Sequence, residues 1–456
     1  MALKQFLKPE SKGVPMSTLK KLFWAYFLLL IFEGALRKWV LPELSALLLV
    51  IRDPVGILIL VETFRTNKWP EKWSFLTGIL TAGLLALCVA QVILVDNPLV
   101  AALYGLRSYL LPFPVAFAMG ENLDAEDLRK FGICTLILMI PETLLEIAQY
   151  LAPANSFLNA GAYKGGGQIG YVGGHVRASG TFSFVVGPAD FVPMAAVFIL
   201  YGFVKENFAP RWLLWTGVGA VILSVPVVGS RGCILYLAAI AGCALISGFY
   251  GVKQFFQLLK YVLPVLAVLF LVSLLPVFAV SSRSLNERIS VANGVEGGSF
   301  EKVVERRTVN PVVERIMNTN YLDHPVGLGM GQGAAAVTTL LKGHAAFVAG
   351  EGEIDRAMNE LGPLPGLFFS LFRMFLALLL IIRAFAQARE HEPFALLLMP
   401  LMLTAVAMGI LEQPTGQGFM VIWLAFTLAA IKPKIAAQPV RSKGAQPKPL
   451  SYGLSR

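Results

Sequence analysis

The sequence predicts an all-α polytopic membrane protein of about twelve transmembrane helices, with a long extracytoplasmic loop between the ninth and the tenth. Three observations predict it. Of 456 residues, 56% are hydrophobic and 14% charged, with a mean hydropathy of +0.68, which leaves too little polar surface to cover soluble cores. Apolar runs of about 17–25 residues recur, enough to carry a helix across the hydrocarbon. The runs are solidly apolar rather than alternating at every second residue, which selects helices over a barrel. Finally, basic residues gather in every second connection, as the positive-inside rule requires.

Taken in order, residues 1–21 form a cytoplasmic N-terminal segment carrying Lys4, Lys8, Lys12, Lys20 and Lys21. The first apolar run has no small-residue cleavage site and leads into Arg37-Lys38, so it reads as a retained span. Spans are expected at 22–40, 44–64, 74–95, 98–119, 131–151, 182–204, 212–228, 233–250 and 261–280 within a 22–281 block, and at 361–382, 394–411 and 415–431 within a 361–431 block. A tail, 432–456, holds Lys432, Lys434, Arg441, Lys443 and Lys448 and reads as cytoplasmic and disordered.

The connections test this order. Arg65, Lys68 and Lys72, then Arg129-Lys130, Lys205 with Arg211, Lys253 with Lys260, and Arg383 with Arg389 all fall on the side of the termini, whereas Asp96-Asn97 and Glu412-Gln413 fall outside. The net charge of +10 is therefore read as topology rather than as a nucleic-acid footprint. The cysteines Cys88, Cys134, Cys233 and Cys243 lie in apolar runs without metal-ligand spacing, as small core residues do.

Two outer loops remain. The loop near 155–181 has seven glycines between Gly161 and Gly174, which argue against regular structure. It reads either as a flexible tether or as a loop wrapping a phosphate with backbone N–H groups, with Arg177 beside it. The 282–360 loop is the long polar piece, and chemistry is expected there. Its arginines include Arg288, Arg306 and Arg307.

Charges inside spans each need a partner or water, because a central charge costs at least roughly 2.5–3.5 kcal/mol. Glu33, Arg37, Arg52, Asp53, Arg107, Glu142, Glu146, Asp190, Arg231 and Glu412 fall in this class. Neighbouring helical residues point about 100° apart, so Arg52 and Asp53 should find partners on other helices. Such groups read either as structural ion pairs or as a polar site for a lipid-linked phosphate or an ion path.

The combination resembles the O-antigen ligase and O-antigen polymerase superfamily. The resemblance rests on Ser230-Arg231-Gly232 opening the eighth span, then Asn286-Glu287-Arg288, His324-Pro325-Val326-Gly327-Leu328-Gly329-Met330-Gly331 and Glu360-Leu361-Gly362-Pro363-Leu364-Pro365-Gly366 around the long loop. Phe32-Glu33-Gly34-Ala35-Leu36-Arg37-Lys38-Trp39 with Arg52-Asp53-Pro54 is similar to an exopolysaccharide branch of it. The resemblance implies a bacterial inner-membrane enzyme with both termini cytoplasmic. Such an enzyme would polymerise undecaprenyl-pyrophosphate-linked repeat units outside the membrane, without a cofactor or metal, among membrane lipids and with chain-length-regulator and export proteins as partners. A ligase acting on lipid A core and a transporter or flippase of the export pathway are the alternatives. Pyrophosphate binding would fall to Arg231, Arg288, Arg306, Arg307 and Arg177. The histidine-asparagine pair of the ligases is missing here, so the general base is expected at Glu353 (or Glu351) or at His344, with Arg288 also catalytic.

Overall fold

The computed structural model describes residues 17–162, 171–172, 175–249, 324–334, 337, 352–390 and 392–432. The expected ninth span, both ends of the chain and much of the 282–360 loop lie outside the described residues.

Eleven of the twelve expected spans carry helix. They are α1 (Thr18–Ala35), α2 (Arg52–Arg65), α3 (Ser74–Leu94), α4 (Leu99–Leu110), α5 (Pro112–Asn122), α6 (Ala125–Leu151), α7 (Val186–Val204), α8 (Arg211–Val228) and α9 (Arg231–Phe249), then α10 (Glu353–Leu361), α11 (Pro363–Arg389), α12 (Phe394–Met408) and α13 (Pro414–Ala430). Together α4 and α5 fill one span, with Pro112 at the first position of α5. Among the described residues seven helices are long and apolar enough to cross a membrane, or eight if Pro42–Leu48 and Arg52–Arg65, bent by 41°, form one. The chain is a multi-pass membrane protein. The three charges of α1, Lys20, Lys21 and Glu33, and the shorter lengths of α12 and α13 keep those helices out of the seven.

Local chemistry sets several boundaries. Ser17 Oγ accepts from Lys20 N at 3.4 Å to start α1. Asp124 and Asp127 form a reciprocal capping box at the start of α6. Gly229, at φ 55°, ends α8 in the left-handed conformation that glycine tolerates.

In the bundle, α5, α7, α12 and α13 form the interior; on α13 Phe419, Val421, Ile422, Leu424 and Phe426 are fully buried. Helix α13 packs on α5, α12 and α7, while α6 packs on α8 and α7, α9 on α12 and α7, and α1 on α2. Helix α3, with 17% of its apolar window buried, faces outward. Such a face suits lipid, which demands no polar cover.

One correction concerns the glycine-rich loop. It carries a two-residue antiparallel ladder, β1 (Tyr171–Val172) and β2 (His175–Val176), pairing Tyr171 with Val176. Strand-forming residues flanking Gly173-Gly174 are a hairpin signal. Glycine content outweighed that signal in the sequence reading.

Candidate active site at one end of the bundle

At the end of the bundle formed by the α1–α2, α3–α4, α6–α7, α8–α9 and α12–α13 connections, segments far apart in sequence meet. The first set surrounds α2. Arg52 Nε donates to Glu33 Oε2 at 3.0 Å, while Glu33 Oε1 faces Arg37 Nη1 at 3.4 Å. Asp53 forms a close ion pair with Arg107 of α4. The two neighbours on α2 therefore find partners on different helices, as their angular separation demanded. Arg37 also donates to Ser45 O and Ser183 Oγ, each at 2.9 Å, and Lys38 Nζ donates to Ser179 Oγ at 2.9 Å. These bonds tie the end of α1 to the loop preceding α7.

The second set surrounds α10. Glu353, its first residue, is held by Arg356 through Nε at 3.1 Å and Nη2 at 3.0 Å, by Arg373 Nη1 at 2.9 Å, and by Leu411 N at 3.3 Å. Arg373, within α11, also donates to Val406 O at 2.7 Å, Ala405 O at 3.2 Å and Gly409 O at 2.6 Å, satisfying carbonyls that the end of α12 leaves open. Glu360 accepts from Tyr109 Oη at 2.8 Å and Gly333 N at 3.1 Å. Burial works against the charge of Arg356, but Glu353, Tyr109 and Glu360 outweigh it and hold the guanidinium protonated well above its ordinary pKa.

The glycine motif joins the sets. Gln91 of α3 donates to Val326 O and Glu360 O, each at 2.6 Å, and accepts from Met330 N at 2.8 Å. Asn97 donates to Met330 O at 3.2 Å and accepts from Gln332 Nε2 at 3.0 Å. Gly331, at φ 80°, lies so close to α4 that a Cβ on Gly105 would stand 2.4 Å from its nitrogen. Gly327 meets Gly362 in the same way: a Cβ on Gly327 would stand 2.4 Å from the Gly362 nitrogen. The motif's glycines are thus required by close backbone approach.

A third, acidic set lies between α6, α7 and α8. Glu142 Oε1 accepts from Thr181 N at 2.8 Å, Glu146 from Ser224 Oγ, and Asp190 is buried on α7.

Of the residues expected to act, Arg288, Arg306, Arg307, His344 and Glu351 lie outside the described residues. Arg231 is the first residue of α9, where Ser230 Oγ accepts from Cys233 N at 3.4 Å. Arg177 directly follows β2 and is half-buried. Glu353 is brought into the second set. Both of its carboxylate oxygens are occupied by charge-assisted donors. The geometry favours a strut joining α10, α11 and the α12–α13 turn over the general-base role. Sequence reasoning missed Arg373, Tyr109 and Gln91. Arg373 carried the same signal as Arg52, a charge in an apolar run, whereas Gln91 and Tyr109 carried none.

No family model, no curated protein and no solved structure matches this chain.

Proposed function

We propose that this protein polymerises lipid-pyrophosphate-linked oligosaccharide repeat units by glycosyl transfer at the outer face of a bacterial cytoplasmic membrane, as a twelve-span enzyme with both termini cytoplasmic. The observation that carries the reading is convergence. The segments behind the family resemblance meet in two pairs at one end of the bundle, 32–39 with 52–54 through Glu33 and Arg52 and 324–331 with 360–366 through the close backbones of Gly327 and Gly362, and α4 touches both pairs through Arg107 and Gly105.

In this reading the extracytoplasmic arginines, Arg231, Arg177, Arg288, Arg306 and Arg307, neutralise the charge that develops on the departing pyrophosphate. Preorganised donors are most effective where water is excluded. The lipid pyrophosphate is itself the activated leaving group, so the reaction requires no nucleotide sugar. His344 keeps the general-base role, since Glu353 is committed to its arginines. The struts around Arg52 and Arg356 would fix the outer ends of α1, α2, α10 and α11 so that the loop meets the same geometry at each turnover.

A ligase using the same donor would share this machinery. The buried carboxylates Glu142, Glu146 and Asp190 favour a second reading, ion-coupled transport, because intramembrane acids mark proton paths. Deleting the gene in its host and resolving surface polysaccharide and lipid-linked glycans by mass spectrometry separates the three. Single repeat units accumulating without long chains is the expected result. Long chains retained on the lipid carrier would indicate a ligase, and an unchanged glycan profile would overturn glycosyl transfer.

A further inference from the structure

From the side chain of Arg52 and the first turn of α13 we infer an intramembrane anion site that takes a phosphate or pyrophosphate group, built from Arg52, Arg107 and α13 rather than from the loop arginines. Arg52 is 3% exposed. Its Nη2 donates to Pro414 O, and its Nη1 lies beside Gly418 one turn further along, so the guanidinium lies against the first turn of α13. Nη1 has no hydrogen-bond acceptor among the described residues. Its carboxylate partner is shared: Glu33 turns one oxygen to Arg52 and the other to Arg37. A buried donor left unmade is costly unless something completes it.

The surroundings fit an anion. Arg107 reaches the same turn, where its Nη2 donates to Gln417 Oε1 at 3.2 Å. No side chain caps α13, whose second and third residues, Thr415 and Gly416, present backbone N–H groups that a helix start leaves without intrahelical acceptors. Gly418 is required for the arrangement, since a Cβ there would stand 1.8 Å from Arg52 Nη1. A phosphate oxygen accepting from Nη1 would give that nitrogen the charge-assisted bond it lacks.

The site stands or falls separately from the glycosyl-transfer reading. The test uses the purified full chain in nanodiscs, titrated with farnesyl pyrophosphate, inorganic pyrophosphate and farnesol, with binding read by calorimetry. Wild type should bind farnesyl pyrophosphate and not farnesol, with Arg52→Gln at least about tenfold weaker and Arg52→Lys intermediate. Gly418→Ala, which keeps every charge but displaces the guanidinium, should lose a similar factor, and it decides the matter if Arg52→Gln fails to fold. Equal binding of inorganic pyrophosphate supports the site and assigns a free anion; preference for the farnesyl ester assigns a lipid headgroup. Farnesol binding as tightly as its pyrophosphate, no binding of any probe, or unchanged affinity in Arg52→Gln or Gly418→Ala overturns the inference. Binding at Arg52 in a strain whose deletion leaves glycans unchanged would keep the site and remove the proposed function; lost polymer with unaltered Arg52→Gln binding would do the reverse.

Discussion

A carboxylate between two guanidinium groups is where this bundle concentrates its polar energy. Glu353 and Arg373 are each almost completely buried, at 3% and 1% exposure, and they meet at 2.9 Å. Removing one partner of such a pair costs about 3–5 kcal/mol, because the other charge stays buried without compensation. Arg373→Met should lower stability by that amount, since it also strands the carbonyls of Val406 and Gly409. Glu353→Gln should cost a similar amount, because it leaves Arg356 and Arg373 facing a neutral amide. In the double variant the losses should fall short of their sum by about 0.5–3 kcal/mol, the interaction expected of residues in contact. Denaturant midpoints of the four proteins in detergent test this. Simple additivity would mean that the two residues act independently.

The same logic extends to whole elements, where backbone approach replaces charge. The 324–334 segment reaches α4 only because Gly105 and Gly331 lack side chains. A Cβ on Gly105 would press on Gly331 N at 2.4 Å and on Met330 carbonyl carbon at 2.5 Å. Gly105→Ala should therefore destabilise by about 1–3 kcal/mol, the range for overpacking a filled contact. It should also make the 324–334 segment more sensitive to limited proteolysis. Gly78→Ala on α3, where an added Cβ meets nothing within 4 Å, is the comparison and should be neutral or stabilising. Much at this scale was legible in the sequence: the helices found at eleven of the expected spans follow from hydropathy, seven of them long and apolar enough to cross a membrane, and separate partners for Arg52 and Asp53 follow from helical rotation. The partners themselves were not legible. That Glu33 serves Arg52, or that Gln91 holds the glycine motif, depends on which helices are neighbours, and periodicity on one helix says nothing about the next. Glu353 was expected as a base from its place in the family resemblance, and its pairing with Arg373 of α11 was not legible for the same reason.

At the scale of the molecule, the polar sets share one end. The connections there bear Arg37 and Lys38, which would offend the positive-inside rule if they were solvated, but both are buried, at 3% and 4% exposure. The opposite end bears Arg65, Lys72, Lys130 and Lys205, with side chains 50–68% exposed. Solvent-exposed basic side chains therefore lie at that end, and burial explains why Arg37 and Lys38 do not compete. The positive-inside rule then predicts the exposed basic end in the cytoplasm and the convergent end outside, the orientation the proposed function requires. Single cysteines at Asn155, exposed on the α6–α7 connection, and at Asn67, exposed between α2 and α3, read the orientation directly. The background is low, since Cys88, Cys233 and Cys243 are buried and Cys134 is half-buried. A membrane-impermeant maleimide applied to intact spheroplasts should label Asn155→Cys and spare Asn67→Cys until the cells are lysed. The reverse pattern would turn the convergent end toward the cytoplasm and would be incompatible with the proposed function, whose substrate is met outside the membrane.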